Sequence, residues 1–211
     1  MRQRALTAKE VINMEKKTFA MEGKWAEFLG QPETTGVWFV WGNSGNGKSS
    51  FAMQLCRELA RYDRVMYNSL EEGTSLTMQR SLVRHGMAEL GSNFVIVRED
   101  IEQLTLRLRK RKSPRIVIID SFQYSQLTYS DYIVLKDNFP DKLFIFISHA
   151  DGQKPLGNAA RRVMYDAALK IWIEGYKATS KGRFIGSTGE YIIWTEGAST
   201  YWGERNTSTN I

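Results

Sequence analysis

Apolar residues arrive in short, largely uninterrupted runs over 37–41, 64–68, 94–97, 115–120 and 142–148. Two of them, Ile116-Val117-Ile118-Ile119 and Leu143-Phe144-Ile145-Phe146-Ile147, contain no polar residue. Such runs suit parallel strands buried on both faces. Between the runs, over 48–61, 74–89, 101–111 and 130–138, the apolar spacing is helical. Strands alternating with helices predict an α/β fold, mainly a parallel sheet covered on both faces with right-handed connections. Past residue 165 the rhythm changes. Short strand-like runs at 169–174, 176–179, 183–185 and 191–195 are broken by Gly175, Gly182, Gly186 and Gly189. They predict antiparallel hairpins extending one edge of the sheet. The first thirty residues mix helical and strand signals ahead of Gln31-Pro32-Glu33, and residues 204–211 read as a frayed polar tail. The expected organisation is an N-terminal segment (1–30), a core (31–203) and a flexible tail (204–211).

The first run leads directly into Gly42-Asn43-Ser44-Gly45-Asn46-Gly47-Lys48-Ser49, a complete G-x-x-x-x-G-K-S loop, and then into a helical segment beginning at Ser50. Glycines allow backbone N–H groups to approach phosphate oxygens, and the following helix adds its N-terminal partial positive charge. The expected ligand is a nucleoside triphosphate with Mg²⁺, ATP by preference. Lys48 would reach the β- and γ-phosphates and the Ser49 hydroxyl would hold the metal. The strand at 115–120 ends in Asp120, where a carboxylate beside such a loop binds Mg²⁺ through water. The strand at 64–68 leads into Glu71 and Glu72. Hydrolysis needs a group that orients or deprotonates water; Glu71 is the candidate and Glu72 the reserve. The competing reading is that both acidic residues simply open the next helix.

Composition adds little to this. A chain of 211 residues with 42% hydrophobic and 25% charged residues suits one globular domain. No apolar stretch is long enough to span a membrane, and the N-terminus lacks the apolar core of a signal peptide. The one cysteine, Cys56, rules out an internal disulfide, so a reducing cytoplasmic location is expected. A net charge of +6 favours a polyanionic partner, although nucleotide binding alone uses some of it. The basic run through Arg107–Arg115 shares a segment with the stripe Ile101, Leu104 and Leu108, and reads as a solvated helix face.

Taken in order, Gly42–Ser49, Ser69-Leu70-Glu71, Ile118-Ile119-Asp120-Ser121 and Ile147-Ser148-His149 resemble the RecA-like ATPases, especially the DnaB-type helicase and RadA/KaiC branches. The resemblance spans about residues 36–196. It implies that Glu71 is the catalytic carboxylate and Asp120 the Walker B aspartate. His149 stands where the family has a γ-phosphate-sensing polar residue, commonly glutamine after serine; histidine departs from that pattern. Lys181-Gly182-Arg183-Phe184-Ile185-Gly186 is similar to the family's lysine-x-arginine hairpin, whose cations complete a neighbouring subunit's site. Residues 151–162, with Lys154, Arg161 and Arg162, occupy the position of a mobile DNA-gripping loop. Tyr124 and Tyr129 near it would stack bases or pack inside. The expectation is therefore an oligomer, ring or filament, hydrolysing ATP on DNA, single-stranded by preference, in recombination, repair or replication. It resembles a stripped core of the kind found in phage or mobile-element recombination proteins. Residues 9–29 would supply a subunit contact, with Phe19 and Trp25 as anchors or as ordinary core residues. Two other classes stay open: a KaiC-like regulatory ATPase with a protein partner, and a P-loop kinase.

Overall fold

The computed structural model describes residues 4–184 and 188–208. Its strands are β1 (Gly36–Gly42), β2 (Val65–Ser69), β3 (Phe94–Val97), β4 (Ile116–Asp120), β5 (Leu143–Asp151), β6 (Lys154–Pro155), β7 (Leu169–Glu174), β8 (Lys177–Gly182) and β9 (Gly189–Ile192). Its helices are α1 (Ala8–Ile12), α2 (Gly23–Leu29), α3 (Lys48–Leu59), α4 (Leu76–Arg84), α5 (Ile101–Leu108), α6 (Tyr129–Asn138), α7 (Asn158–Asp166) and α8 (Thr195–Ser208). The sheet order is β3-β2-β4-β5-β1-β7-β8-β9, with β6 folding back on β5. From β3 to β7 every neighbouring pair is parallel; β8 and β9 continue antiparallel.

Alternate residues of the central strands feed two separate cores, the consequence of a side-chain period of two. Trp38, Val40, Ile118, Ile145 and Ile171 pack with Phe51, Leu55 and Leu59 of α3 on one face. Phe39, Val117, Ile119, Phe144 and Phe146 pack with Leu104, Tyr132, Leu135 and Val163 on the other. Burial on both faces is why these strands read as continuous apolar runs. Cys56 is fully buried in α3.

Several boundaries and three segments differ from expectation. The helix expected over 74–89 stops at Arg84, where Gly86 takes a left-handed conformation (φ 60°) and a 3₁₀ turn over Met87–Asn93 follows. Residues 158–162 are helical rather than part of a loop. Beyond Gly157 (φ 92°) the sequence Asn-Ala-Ala-Arg-Arg-Val-Met is rich in good helix formers, and Ala160 and Val163 anchor one face in the core. Residues 195–208 form α8, although no apolar period announces it. Its first turn buries Ala198 and is held by the Trp202 indole, which donates to the Gly175 carbonyl at 3.1 Å. The expected frayed tail is thus helical through residue 208, and 209–211 lie outside the described residues. Residues 183–184 form a turn rather than a strand, and Ile185 and Gly186 lie outside the described residues.

Phe19 and Trp25 are buried within this chain. Phe19 meets Trp38 and Tyr62 edge-on, and Trp25 stacks on Tyr191 with ring centroids 4.5 Å apart. By contrast α1 buries no residue, and Ile12 is 80% exposed. No helix among the described residues is long and apolar enough to cross a membrane.

Candidate nucleotide-binding site

Parallel polarity brings the C-terminal ends of β1, β2, β4 and β5 to one edge, the usual place for a ligand in an open α/β sheet. In register, Gly42 lies opposite His149, and Ser69 opposite Asp120. A Cβ on Gly42 would fall 2.3 Å from the Ile173 carbonyl, so the strand end admits only glycine there. The loop then turns through Gly45 (φ 76°) and Gly47 (φ 97°), conformations that other residues adopt at a cost. It enters α3 at Lys48, with Ser49 and Ser50 in the first turn.

The cleft above this loop has a volume of about 320 Å³ and is lined by Gly45, Gly47, Lys48, Ser49, Glu71, Asp120 and His149, among others. Lys48 Nζ folds back to donate to the Asn43 carbonyl at 2.9 Å. Burial holds its pKa below the usual lysine range, opposed by the nearby Asp120 and Glu71. Asn46, expected among the phosphate contacts, uses its side chain otherwise. Its Nδ2 donates to the Ser44 carbonyl at 3.0 Å and its Oδ1 accepts from Gly175 N at 2.7 Å, tying the β7–β8 turn to the loop.

Asp120 is the most perturbed acid here. Burial raises its pKa from 3.8 to about 6; Tyr67 donating its hydroxyl to the carboxylate lowers it, Glu71 and Glu72 raise it, and Lys48 lowers it. Tyr67, from β2, gave no signal in sequence beyond being apolar, and only strand pairing brings it beneath Asp120. The Asp120 carbonyl accepts from Leu70 N at 2.7 Å and Glu71 N at 3.3 Å, so one residue anchors both acidic ends. Beside it, Ser121 Oγ is buried with no hydrogen-bond partner among the described residues. A carboxylate, the Ser49 hydroxyl and an unsatisfied Ser121 hydroxyl around one cleft fit a hydrated Mg²⁺ that draws its remaining ligands from phosphate and water. Among the described residues no group of three or more His, Cys, Asp or Glu would hold a metal on its own.

Glu71 Oε2 lies 3.1 Å from His149 Nε2. His149 is positioned in turn: its N–H donates to Gln123 Oε1 at 3.1 Å, and its carbonyl accepts from Leu156 N at 2.9 Å. Gln123 Nε2 also donates to Ser148 Oγ and the Leu156 carbonyl, both at 2.9 Å. The β5–β6 turn is thus wired to the cleft. A second connection runs to the loop itself, where Asn43 Nδ2 donates to the Gly152 carbonyl at 3.1 Å and Trp41 Nε1 to the Gln153 carbonyl at 3.0 Å.

The remaining expected site residues stand apart. Lys154 is exposed on β6; Arg161 Nε donates to the Pro155 carbonyl at 3.1 Å and its guanidinium faces Asp151 at 3.8 Å. Arg162 lies over the Tyr129 ring at 3.8 Å, while Tyr124 is exposed. Lys181 and Arg183 are exposed and outside the cleft. Arg183 N donates to the Ala168 carbonyl, and Ala168 N to the Val37 carbonyl, at the start of β1. Five strand residues separate Val37 from Gly42, about 17 Å. Arg183 there borders the largest cavity, about 890 Å³, with Lys136, Lys142, Glu33 and Asp166. That cavity has mixed charge and no glycine-rich loop, and size alone does not make it the site.

A phosphate-binding loop after β1, an aspartate ending β4, a glutamate after β2 and the order β3-β2-β4-β5-β1 together define the RecA-like P-loop ATPase fold. Solved structures similar to this chain include the flagellar accessory protein FlaH from Methanocaldococcus jannaschii (13% identity, TM-score 0.60, covering 83% of this chain and 93% of that one). They also include a KaiC-like protein from Pyrococcus horikoshii OT3 (18%, 0.52, 76% and 83%). A third is the ATPase domain of a DnaB-like protein (15%, 0.52, 74% and 80%). No protein-family model matches the sequence, and no curated protein matches it.

Proposed function

We infer that this protein hydrolyses ATP with Mg²⁺ as a homo-oligomer, ring or filament, and that it does so on DNA. The observation that carries the reading is the convergence of Lys48, Ser49, Asp120, Ser121 and Glu71 on one cleft over a phosphate-binding loop. Bound Mg²⁺ would offset charge on the β- and γ-phosphates; Ser49 and Asp120 would hold it. Lys48 releases the Asn43 carbonyl and turns to the phosphates. Glu71 orients the attacking water and accepts its proton at the carboxylate, and His149, at 3.1 Å, steadies the carboxylate.

Completion of the site by a neighbour is supported by the polarity of the sheet. Lys181 and Arg183 sit toward the end opposite their own loop, where they serve only another subunit's nucleotide. The exposed apolar residues of the N-terminal segment, Leu6, Val11, Ile12 and Met14, favour assembly. DNA is favoured by the basic β5–β6 turn and α7, whose hydrogen bonds to Asn43, Trp41 and Gln123 would pass occupancy of the turn to the cleft. Single-stranded DNA suits the aromatic and cationic pairing of Tyr129 with Arg162. A protein partner is the second reading, favoured because Arg161 and Arg162 are already engaged within the chain.

The test is ATPase rate with and without single-stranded DNA, across protein concentration. The reading expects stimulation by DNA, specific activity rising with concentration, and loss of the stimulation when Lys154, Arg161 and Arg162 are replaced by alanine. Activity indifferent to DNA would favour the protein-partner reading. Full activity in a dilute monomer would overturn the composite site.

A further inference from the structure

Next to the phosphate cleft lies a second cavity of about 540 Å³, bordered by Ser50, Gln54, His85, Tyr176, Ile193 and Trp194. Ser50 and Tyr176 line both, so the two are continuous around the first turn of α3. A ligand whose phosphates lie on the loop has its other end at this opening. The walls are aromatic and apolar. Trp194 is 51% exposed, with its ring centroid 5.0 Å from that of Tyr176 and the two planes at 84°.

The arrangement is held by several unusual local choices. Tyr176 takes a left-handed backbone conformation (φ 59°), rare for an aromatic residue. Its N–H donates to the Asn46 carbonyl at 3.2 Å, and its carbonyl accepts from Ile193 N at 2.9 Å, so the ring is fixed against Gly47. A Cβ on Gly197 would fall 2.2 Å from the Trp194 ring and 2.8 Å from Tyr176, so only glycine leaves room for the pair.

One polar group in this cavity lacks a partner among the described residues. His85 Nε2 is buried and makes no hydrogen bond to any of them. Burial, and secondarily Arg84, lower the imidazole pKa, so the ring is neutral and offers one N–H and one lone pair. Gln54, by contrast, is fully engaged, donating to the Ile193 carbonyl at 3.1 Å and accepting from the Tyr191 hydroxyl at 2.9 Å. It forms wall, while His85 is free to read a ligand edge.

We propose that this cavity is the base-recognition site of the nucleotide, with Trp194 and Tyr176 packing against a purine ring and His85 hydrogen-bonding its polar edge. A flat heteroaromatic with donors and acceptors on its rim is the chemistry that satisfies both the exposed indole and the orphaned nitrogen. The assignment rests on the phosphate loop holding a triphosphate, and the two are separable by experiment.

Calorimetric titration with Mg-ATP and with Mg-tripolyphosphate, which carries no base, makes the separation. Wild-type protein binds ATP at least about tenfold more tightly than tripolyphosphate, the scale of one base–aromatic stack. Trp194→Ala loses about tenfold in ATP affinity, Trp194→Phe retains most of it, and His85→Leu loses several-fold. All three leave tripolyphosphate affinity unchanged, which also reports an intact fold. Equal affinity of the wild type for both ligands would overturn the base site alone. So would ATP binding by Trp194→Ala and His85→Leu at the wild-type level, or equal losses on both ligands. Wild-type protein binding neither would sink the phosphate-loop reading itself.

Discussion

Replacing Asp120 by asparagine is expected to stabilise the nucleotide-free protein while abolishing its metal-dependent function. The aspartate's pKa stands at about 6 in the fold against 3.8 ordinarily, because burial, Glu71 and Glu72 together outweigh the Tyr67 hydroxyl and Lys48. The native state therefore holds the proton more tightly than the unfolded chain. This group's contribution is most favourable below about pH 4 and is lost as pH rises through 6. Two pH units at 1.36 kcal/mol each make the ionised carboxylate cost about 3 kcal/mol at pH 7.5. The strip of Asp120 surface open to the cleft makes this an upper value. Asparagine keeps an oxygen to accept from Tyr67 and never ionises. In urea denaturation with chelator, Asp120→Asn should gain about 2–3 kcal/mol over wild type at pH 7.5, shrinking to about 0.5 kcal/mol at pH 4. Every other titrating group is common to both proteins, so the difference isolates Asp120. An equal gain at both pH values, or destabilisation at pH 7.5, would refute the reasoning. In the same terms, Mg²⁺-dependent ATP affinity of the wild type should weaken as pH falls below about 6, because proton and metal compete for one carboxylate.

Glu71→Gln should keep ATP affinity within a few-fold and lower turnover by a factor of roughly 10²–10⁴, the contribution of a positioned base; single-turnover hydrolysis measures it, and a near-normal rate would remove Glu71 from the chemistry. Arg183→Ala should be inactive alone, with ATP affinity nearly intact. Mixing it with Glu71→Gln subunits should restore part of the activity, because some interfaces then pair a wild-type glutamate with a wild-type arginine. No recovery at any mixing ratio would argue against a site shared between subunits.

The central strands and the phosphate loop were legible in the residues alone, for physical reasons local to each. A strand covered on both faces must be apolar at every position, as Ile116–Ile119 is. A loop that bends through left-handed backbone must place glycine at Gly45 and Gly47, and its spacing to Lys48 is covalent. Asp120 and Glu71 were legible as strand-end acids, because strand ends are where this architecture exposes polar groups. Helix α8 was not, since its residues follow no amphipathic period and it is held by contacts to the distant Gly175 and Trp194. Nor was α7, whose glycine- and proline-rich approach masked good helix formers behind it.

What only the tertiary structure decided is which distant groups meet. Asn46 looks like a phosphate ligand until Gly175, 129 residues away, takes its side-chain oxygen. His149 reads as a lone strand-end histidine until sheet order sets it against Glu71. His85, Tyr176 and Trp194 share no motif, and long-range packing alone gathers them at one opening. Local backbone geometry and burial are written residue by residue, so the chain determines them directly. Pairings across tens of residues depend on strand order and polarity, which emerge only when the whole sheet assembles.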